Sequence, residues 1–259
     1  MPGQLLPTVQ DMSLFERFNL GYGFRQYFRI DAATDDALRD DVYRIRHQVY
    51  CEELQFEPER EDRREIDAYD AHSLHCLMRT VNAPHTLVGC TRLVLTDANA
   101  PDTLLPFEHT CEQTLDRRII DPAKLPRERI AEVSRLAVRS PYRRRKGERR
   151  VATDVNDADF GTKDYPRFPY IPIGLYLGAI SLAVHKDIDT LFVLTEPRLA
   201  SHFSRLGVDI RQIGGPISHR GERVPSVMDV QSIVRNMRMI MRPFWRAVNE
   251  EVERSLGQR

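Results

Sequence analysis

The spacing of apolar residues in this 259-residue chain specifies a mixed α/β sandwich, with helices laid on one central sheet. Three observations carry that reading. Ser73–Thr80 and Thr86–Leu95 look like paired strands around a turn at Asn82-Ala83-Pro84-His85. Ile130–Val138 and Thr190–Thr195 are apolar segments of strand length. Asp35–Leu54 and Pro172–His185 repeat their apolar residues at helical spacing.

In order, residues 1–25 read as an N-terminal arm, with a short amphipathic turn at Leu14–Leu20. Tyr27–Ile30 alternates and forms a first strand. Asp35–Leu54 is a helix with Leu38, Val42, Ile45, Val49 and Tyr50 on one side, capped by Asp35 or Thr34. A charged loop, Glu57–Glu65, leads to the hairpin. Asp97–Arg127 is polar and Pro-bearing, with no long element. The strand Ile130–Val138 ends in a basic turn, Arg143-Arg144-Arg145-Lys146-Gly147, of the kind that offers N–H groups and cations to a phosphate. Residues 154–172 read as a loop or lid, followed by the helix Pro172–His185 with Pro172 in its first turn. After Thr190–Thr195 come a short helix, Arg198–Arg205, stopped at Gly207, and strands at Val208–Ile213 and Ser226–Val230. Residues 230–259 form a C-terminal amphipathic helix, broken or kinked at Pro243. No linker divides the chain, so 1–259 is expected to be one domain.

Lys+Arg and Asp+Glu are both 38, a balance that argues against a nucleic-acid partner. Cys51, Cys76, Cys90 and Cys111 have no metal-ligand spacing and read as reduced thiols of a cytoplasmic protein. The first residues lack a basic region followed by an apolar run, so no signal peptide is expected, and no window is apolar enough to span a bilayer.

Six charges interrupt segments that otherwise pack: Arg46, Asp67, Asp70, Arg92, Glu132 and Arg135. Lone ionised groups cost several kcal/mol to bury unless paired. If the six converge, three cations face three anions, an arrangement suited to a zwitterionic small molecule. A purely structural ion-pair network gathers charges the same way, and both readings stand.

The ordered set Arg46-x-x-Val49-Tyr50, Glu65-x-Asp67-x-x-Asp70, Gly89-x-x-Arg92-Leu93 and Glu132-x-Ser134-Arg135 resembles the acyl-homoserine lactone synthases. It resembles most their relatives, the N-acyl amino acid synthases and the acyltransferases associated with PEP-CTERM/exosortase gene clusters. That resemblance, from about Arg46 to Asp229, implies a fold like the GCN5-related N-acyltransferases (GNAT), with two central strands, Ile130–Val138 and Thr190–Thr195, splayed around the donor's pantetheine arm. It implies transfer of a fatty acyl group from acyl carrier protein or coenzyme A to an amine, with no tightly bound cofactor and no metal.

Val138, Arg139, Arg143, Arg144 and Gly147 are similar to the donor-binding loop of that fold, although Arg149 stands where a final small residue is usual. Lactone synthases place a Trp near bound S-adenosylmethionine, shortly after the position matched by Arg46. Here Phe56 is the nearest aromatic, and Trp245 is the chain's one Trp, which favours an amino acid acceptor.

In this reading Glu132 is the general base and Arg135 holds the acceptor carboxylate, with Arg46 or Arg92 as alternatives. Asp67 and Asp70 orient these arginines or bind the ammonium, and Ser134 is structural. Phe107, Leu175, Leu177, Phe192 and Leu194 are offered as acyl-tunnel residues, each also consistent with plain core packing. Cys90 as a thioester nucleophile, and His202 and His219 as acid/base groups, rank below burial and surface roles. The rival functions are a lactone synthase using S-adenosylmethionine, a non-catalytic acyl-chain sensor, and a protein that meets a membrane or a second copy through Val230–Leu256.

Overall fold

The computed structural model describes residues 19–143, 169–196, 203 and 208–257. Besides one helical turn at Ser140–Arg143 and short 3₁₀ turns, the described helices in chain order are α1 (Leu20–Tyr27), α2 (Asp36–His47), α3 (Pro106–Thr110), α4 (Tyr170–His185), α5 (Val230–Asn236) and α6 (Arg242–Gly257). Strands are β1 (Phe28–Ala32), β2 (Ser73–Thr80), β3 (Leu87–Leu95), β4 (Ile130–Val138), β5 (Thr190–Thr195), β6 (Ile210–Gln212), β7 (Ile217–Ser218) and β8 (Glu222–Asp229). Among the described residues the sheet runs β1-β2-β3-β4-β5-β8-β6, with β7 also on β8. Every pair is antiparallel except β4–β5. Alternation puts Cys76 and Met78 against α1, α4 and α6, and Leu77 and Cys90 against α2.

Two irregularities open the middle of this sheet. The parallel β4–β5 pairing stops after Val133↔Val193, so Ser134–Val138 and Leu194–Thr195 diverge. On the other side of β4, Cys90 faces Ala137 but Arg92 faces Ser134, which leaves Thr91 opposite both Arg135 and Leu136. That is a β-bulge, and Arg135 sits in it at φ 51°, in the left-handed region that a non-glycine residue occupies at a cost. The expected splayed strands are therefore present, with a bulge at the point of divergence.

Several boundaries differ from the sequence reading. The end of the proposed arm is helix α1, whose Leu20 and Phe24 are buried; Gly21 lets it lie against Pro243, because a Cβ there would come within 2.2 Å of the Pro243 carbonyl oxygen. Asp35 is the cap of α2, its side chain accepting from the Leu38 N–H. That helix then widens into a π-helical turn, Gln48–Glu53. The C-terminal segment is two helices, and its break lies at residues 237–241, ahead of Pro243. Proline in the first turn of α6 forfeits no helical bond, so it starts the second helix instead of kinking one.

The proposed lid, Arg144, Gly147 and the short helix Arg198–Arg205 fall wholly or largely outside the described residues, although Tyr170–Pro172 belong to α4. No helix among the described residues is long and apolar enough to cross a membrane.

Candidate active site

The charged residues converge, with one exchange of partners. Arg46, on α2, is fully buried. It donates through Nε to Glu65 and binds Asp70 with both Nη atoms, at 2.6 and 3.0 Å. Arg92, on β3, reaches Asp67 at 2.7 Å, Asp70 at 3.0 Å and the Ser134 hydroxyl at 3.0 Å. Arg135 projects from the bulge to Glu65 at 3.1 Å and Asp67 at 3.0 Å. A short 3₁₀ turn supplies the acids: Asp67 caps it through the Tyr69 N–H, while Asp70 accepts from the Asp67 N–H at 2.8 Å.

Three guanidinium groups thus meet three carboxylates. Burial works against each carboxylate's charge, but the arginine hydrogen bonds and fields outweigh it, so Glu65, Asp67 and Asp70 all lie below their ordinary pKa values. Burial likewise opposes the charge on Arg46, and its bonds to Asp70 and the field of Glu65 more than restore it.

Glu65, not Glu132, is the third anion. It opens the Glu65-x-Asp67-x-x-Asp70 motif, yet the sequence reading gives it no role, because its arginine partners lie 19 and 70 residues away. Glu132 stands apart, 2% exposed, and its Oε2 accepts from the Phe107 N–H at 2.7 Å. Its strand neighbours are Val94 and Phe192, and Phe192 stacks on Phe107 with ring centroids 4.4 Å apart. Burial in this apolar niche outweighs the Phe107 hydrogen bond and the fields of Arg92 and Arg135, and pushes the Glu132 carboxyl up to about 8. A carboxyl group that holds its proton well above the ordinary range thus lies beside a balanced ionic cluster.

Between them lies a cavity of about 230 Å³ at the divergence of β4 and β5. Glu132–Leu136 form one wall and Val193–Glu196 another. Phe56, Asp67 and Arg92 reach it, whereas Arg46 and Asp70 are sealed beneath and do not line it. Of the five acyl-tunnel residues only Leu194 lines the cavity; Phe107, Leu175, Leu177 and Phe192 are fully or almost fully buried core. Thr195 Oγ1 is buried on the cavity wall with no hydrogen-bond partner among the described residues. Tyr50, from the π-helical turn, donates its hydroxyl to the Leu136 carbonyl at 2.9 Å and forms part of the floor.

The rim holds residues that sequence reasoning missed. β7 and β8 are joined by His219-Arg220-Gly221, with Arg220 at φ 54° and Gly221 at φ 104°. This turn brings His219 and Arg220 to the cavity. Arg220 lies over the rings of Tyr50 and Phe56, at 5.9 and 6.0 Å, and pairs with Glu57. Arg223 also lines the cavity and pairs with Glu196. The local signal was one glycine after two polar residues, which marks a turn but not what the turn faces. His219 is thus a loop residue, as the sequence suggests, but one that lines the cavity, and burial, then Arg135 and Arg223, lower its pKa.

The donor-loop residues within the described chain are tied to the scaffold. Val138 is buried in β4. Arg139 donates to the Leu87 carbonyl at 2.9 Å, and Arg143 to Glu53 at 2.9 Å. Glu53 also accepts from the Ser140 N–H at 3.1 Å, so the end of the π-helical turn anchors the start of that loop. Cys90 is fully buried and burial pushes its thiol up to about 12, which removes it as a nucleophile. His202 lies outside the described residues.

Comparison with known proteins agrees with this architecture. Residues 45–152 match the acetyltransferase (GNAT) domain. TofI, solved in a ternary complex with an inhibitor and MTA, superposes with a TM-score of 0.53 at 20% identity, covering 79% of this chain and 94% of its own. BjaI, a CoA-dependent acyl-homoserine lactone synthase solved with SAM and isopentyl-CoA, gives 0.51 at 19%, covering 86% and 89%. FeeM, an N-acyl amino acid synthase from uncultured soil microbes, gives 0.52 at 15%, covering 83% and 97%. No curated protein sequence matches the chain. At these identities the superpositions speak for the fold, and the domain match speaks for the chemistry it carries. The splayed central strands, the matched segment and the superposed synthases together identify a GNAT-fold chain carrying an acyltransferase domain.

Proposed function

We propose that this chain is an N-acyltransferase that moves a long-chain fatty acyl group from a thioester, on acyl carrier protein or coenzyme A, to the amine of an amino acid. The observation that carries the reading is the cavity at the β4–β5 divergence, with the buried Glu132 carboxyl on one side and guanidinium groups on the other.

The reaction forms a bond from the amine nitrogen to the thioester carbonyl carbon and breaks the C–S bond. The acceptor arrives as an ammonium ion and must first lose a proton. The ionised fraction of a carboxyl group with a pKa near 8 is a strong enough base to take it, directly or through one water, and that fraction grows as the pH rises toward 8. The second proton, released as the amide forms, leaves with the sulfur as a thiol. The edge of β4 that parts from β5 after Val133 suits an oxyanion site built from main-chain N–H groups. Arg135 and Arg220 border the cavity and suit the acceptor carboxylate, whereas Arg46 is fully buried and does not line it. Phe56, under Arg220, gives the acceptor an aromatic wall.

The deciding experiment is mass spectrometry of lipids from cells overproducing the chain or its Glu132→Gln variant. An N-acyl amino acid formed only with the unaltered chain supports the proposal. An acyl-homoserine lactone would replace it with lactone synthesis, and acyl-thioester binding without any new lipid would replace it with a sensor.

A further inference from the structure

The segment 230–249 holds four arginines, Arg235, Arg238, Arg242 and Arg246, and no acid, in a chain whose charges otherwise cancel. All four are exposed, and among the described residues none of them forms an ion pair. Among the described residues Arg235 reaches the Ser232 hydroxyl, and Arg242 the Met237 and Arg235 carbonyls. Several arginines elsewhere on the surface are paired: Arg25 with Glu250, Arg39 with Asp36, Arg44 with Asp40 and Arg118 with Asp116.

At the centre of this basic run, the loop between α5 and α6 holds Met239 at 84% exposure and Ile240 at 53%. No other large apolar side chain described as exposed reaches either value. They are held out by their neighbours, since Met237 and Met241 are buried in the main core and Phe244 packs on Phe24 and Tyr170. The apolar face of α6 itself, Phe244, Ala247, Val248 and Val252, is buried, so the helix face is not free to dock on anything.

We propose that this loop docks the protein on an anionic lipid surface, with Met239 and Ile240 entering the headgroup–acyl boundary and the four arginines on lipid phosphates. The chemistry is complementary on both counts. Apolar side chains gain by leaving water, and each cation near an anionic leaflet adds attraction that salt screens. Guanidinium groups bind phosphate oxygens in pairs and carry long stems that reach down from the apolar tip. Two weak signals, one apolar and one electrostatic, together give reversible attachment where either alone is marginal. A protruding tip also favours a deformable bilayer over an acidic protein, which would need a pocket shaped to receive it. The inference does not depend on the proposed reaction.

Co-sedimentation of the full chain with phosphatidylcholine vesicles, with and without phosphatidylglycerol, tests it. Binding to the anionic vesicles that weakens with salt is expected. Met239→Ser with Ile240→Ser should lower that binding by roughly tenfold or more. Arg238→Gln with Arg242→Gln should weaken it and flatten its salt dependence. These side chains are exposed, so the melting temperature should not move. Equal binding to both vesicle types, binding to neither, or no effect of Met239→Ser with Ile240→Ser would overturn the proposal. So would loss, in that same variant, of self-association or of binding to a purified acyl carrier protein while vesicle binding persists.

Discussion

Glu132→Gln isolates the electrostatic state of the cavity. The substitution keeps the side chain's size and an oxygen for the Phe107 N–H, and it removes the ability to ionise. In the folded chain this carboxyl titrates at about 8, against an ordinary 4.5. An acid whose folded pKa is raised binds its proton more tightly in the folded state. Its contribution to stability is therefore full below pH 4.5 and is lost as the pH rises toward 8. At 1.36 kcal/mol per pH unit, the loss reaches roughly 3 kcal/mol by about pH 7 and roughly 5 kcal/mol above about pH 8. The glutamine variant loses nothing through this group. Urea unfolding of both proteins at about pH 5, 7 and 8.5 should show little difference at the acid end, with the variant more stable by about 3 kcal/mol at pH 7. Turnover should move the other way and fall roughly a hundredfold or more. A stability difference that stays constant with pH would mean that Glu132 keeps an ordinary pKa, and the raised pKa that matches it to the ammonium proton would be wrong.

Asp70→Asn removes the carboxylate that Arg46 and Arg92 share, leaving a fully buried guanidinium under-compensated at a cost of about 3–5 kcal/mol in urea unfolding. Asp70 has a depressed folded pKa, so its contribution is present above the ordinary 3.8 and lost as the pH falls; the variant should show a shallower loss of stability on acidification. Gly89→Ala would put a Cβ within 2.5 Å of the Ala137 carbonyl oxygen and force β3 from β4, lowering the midpoint of thermal unfolding through a cost of about 1–3 kcal/mol. Cys51, Cys76, Cys90 and Cys111 are all buried, so a thiol reagent should label them only after denaturant is added.

The sheet was legible because its central strands bury one or both faces. Ser73–Thr80, Ile130–Val138 and Thr190–Thr195 have the limits the apolar pattern gives them. The site was legible where an ionised residue interrupts such a strand, as Arg92 and Arg135 do, because an unpaired charge there would be too costly to keep. Glu65 was not, because it ends a loop already full of charge, and only the folded chain distinguishes the one acid that turns inward. Glu132 shows the opposite case. Its sequence position marked it as functional, but its pairing could not be read from it, since the Phe107 N–H and the stacked rings arrive from segments far along the chain. Arg220 depends on a three-residue turn whose aim is set by the β7–β8 register.

The balanced set of three arginines and three acids also bears on how a family of such proteins diversifies. Each member of the set holds at least two others, so replacing any one demands matched changes in distant segments. The hairpin tip at 219–221 carries a lighter obligation, since among the described residues Arg220 pairs with Glu57 alone. Under the proposed reaction, new acceptor preferences can therefore be tried by exchanging side chains on that tip, while the ionic foundation beneath stays unaltered.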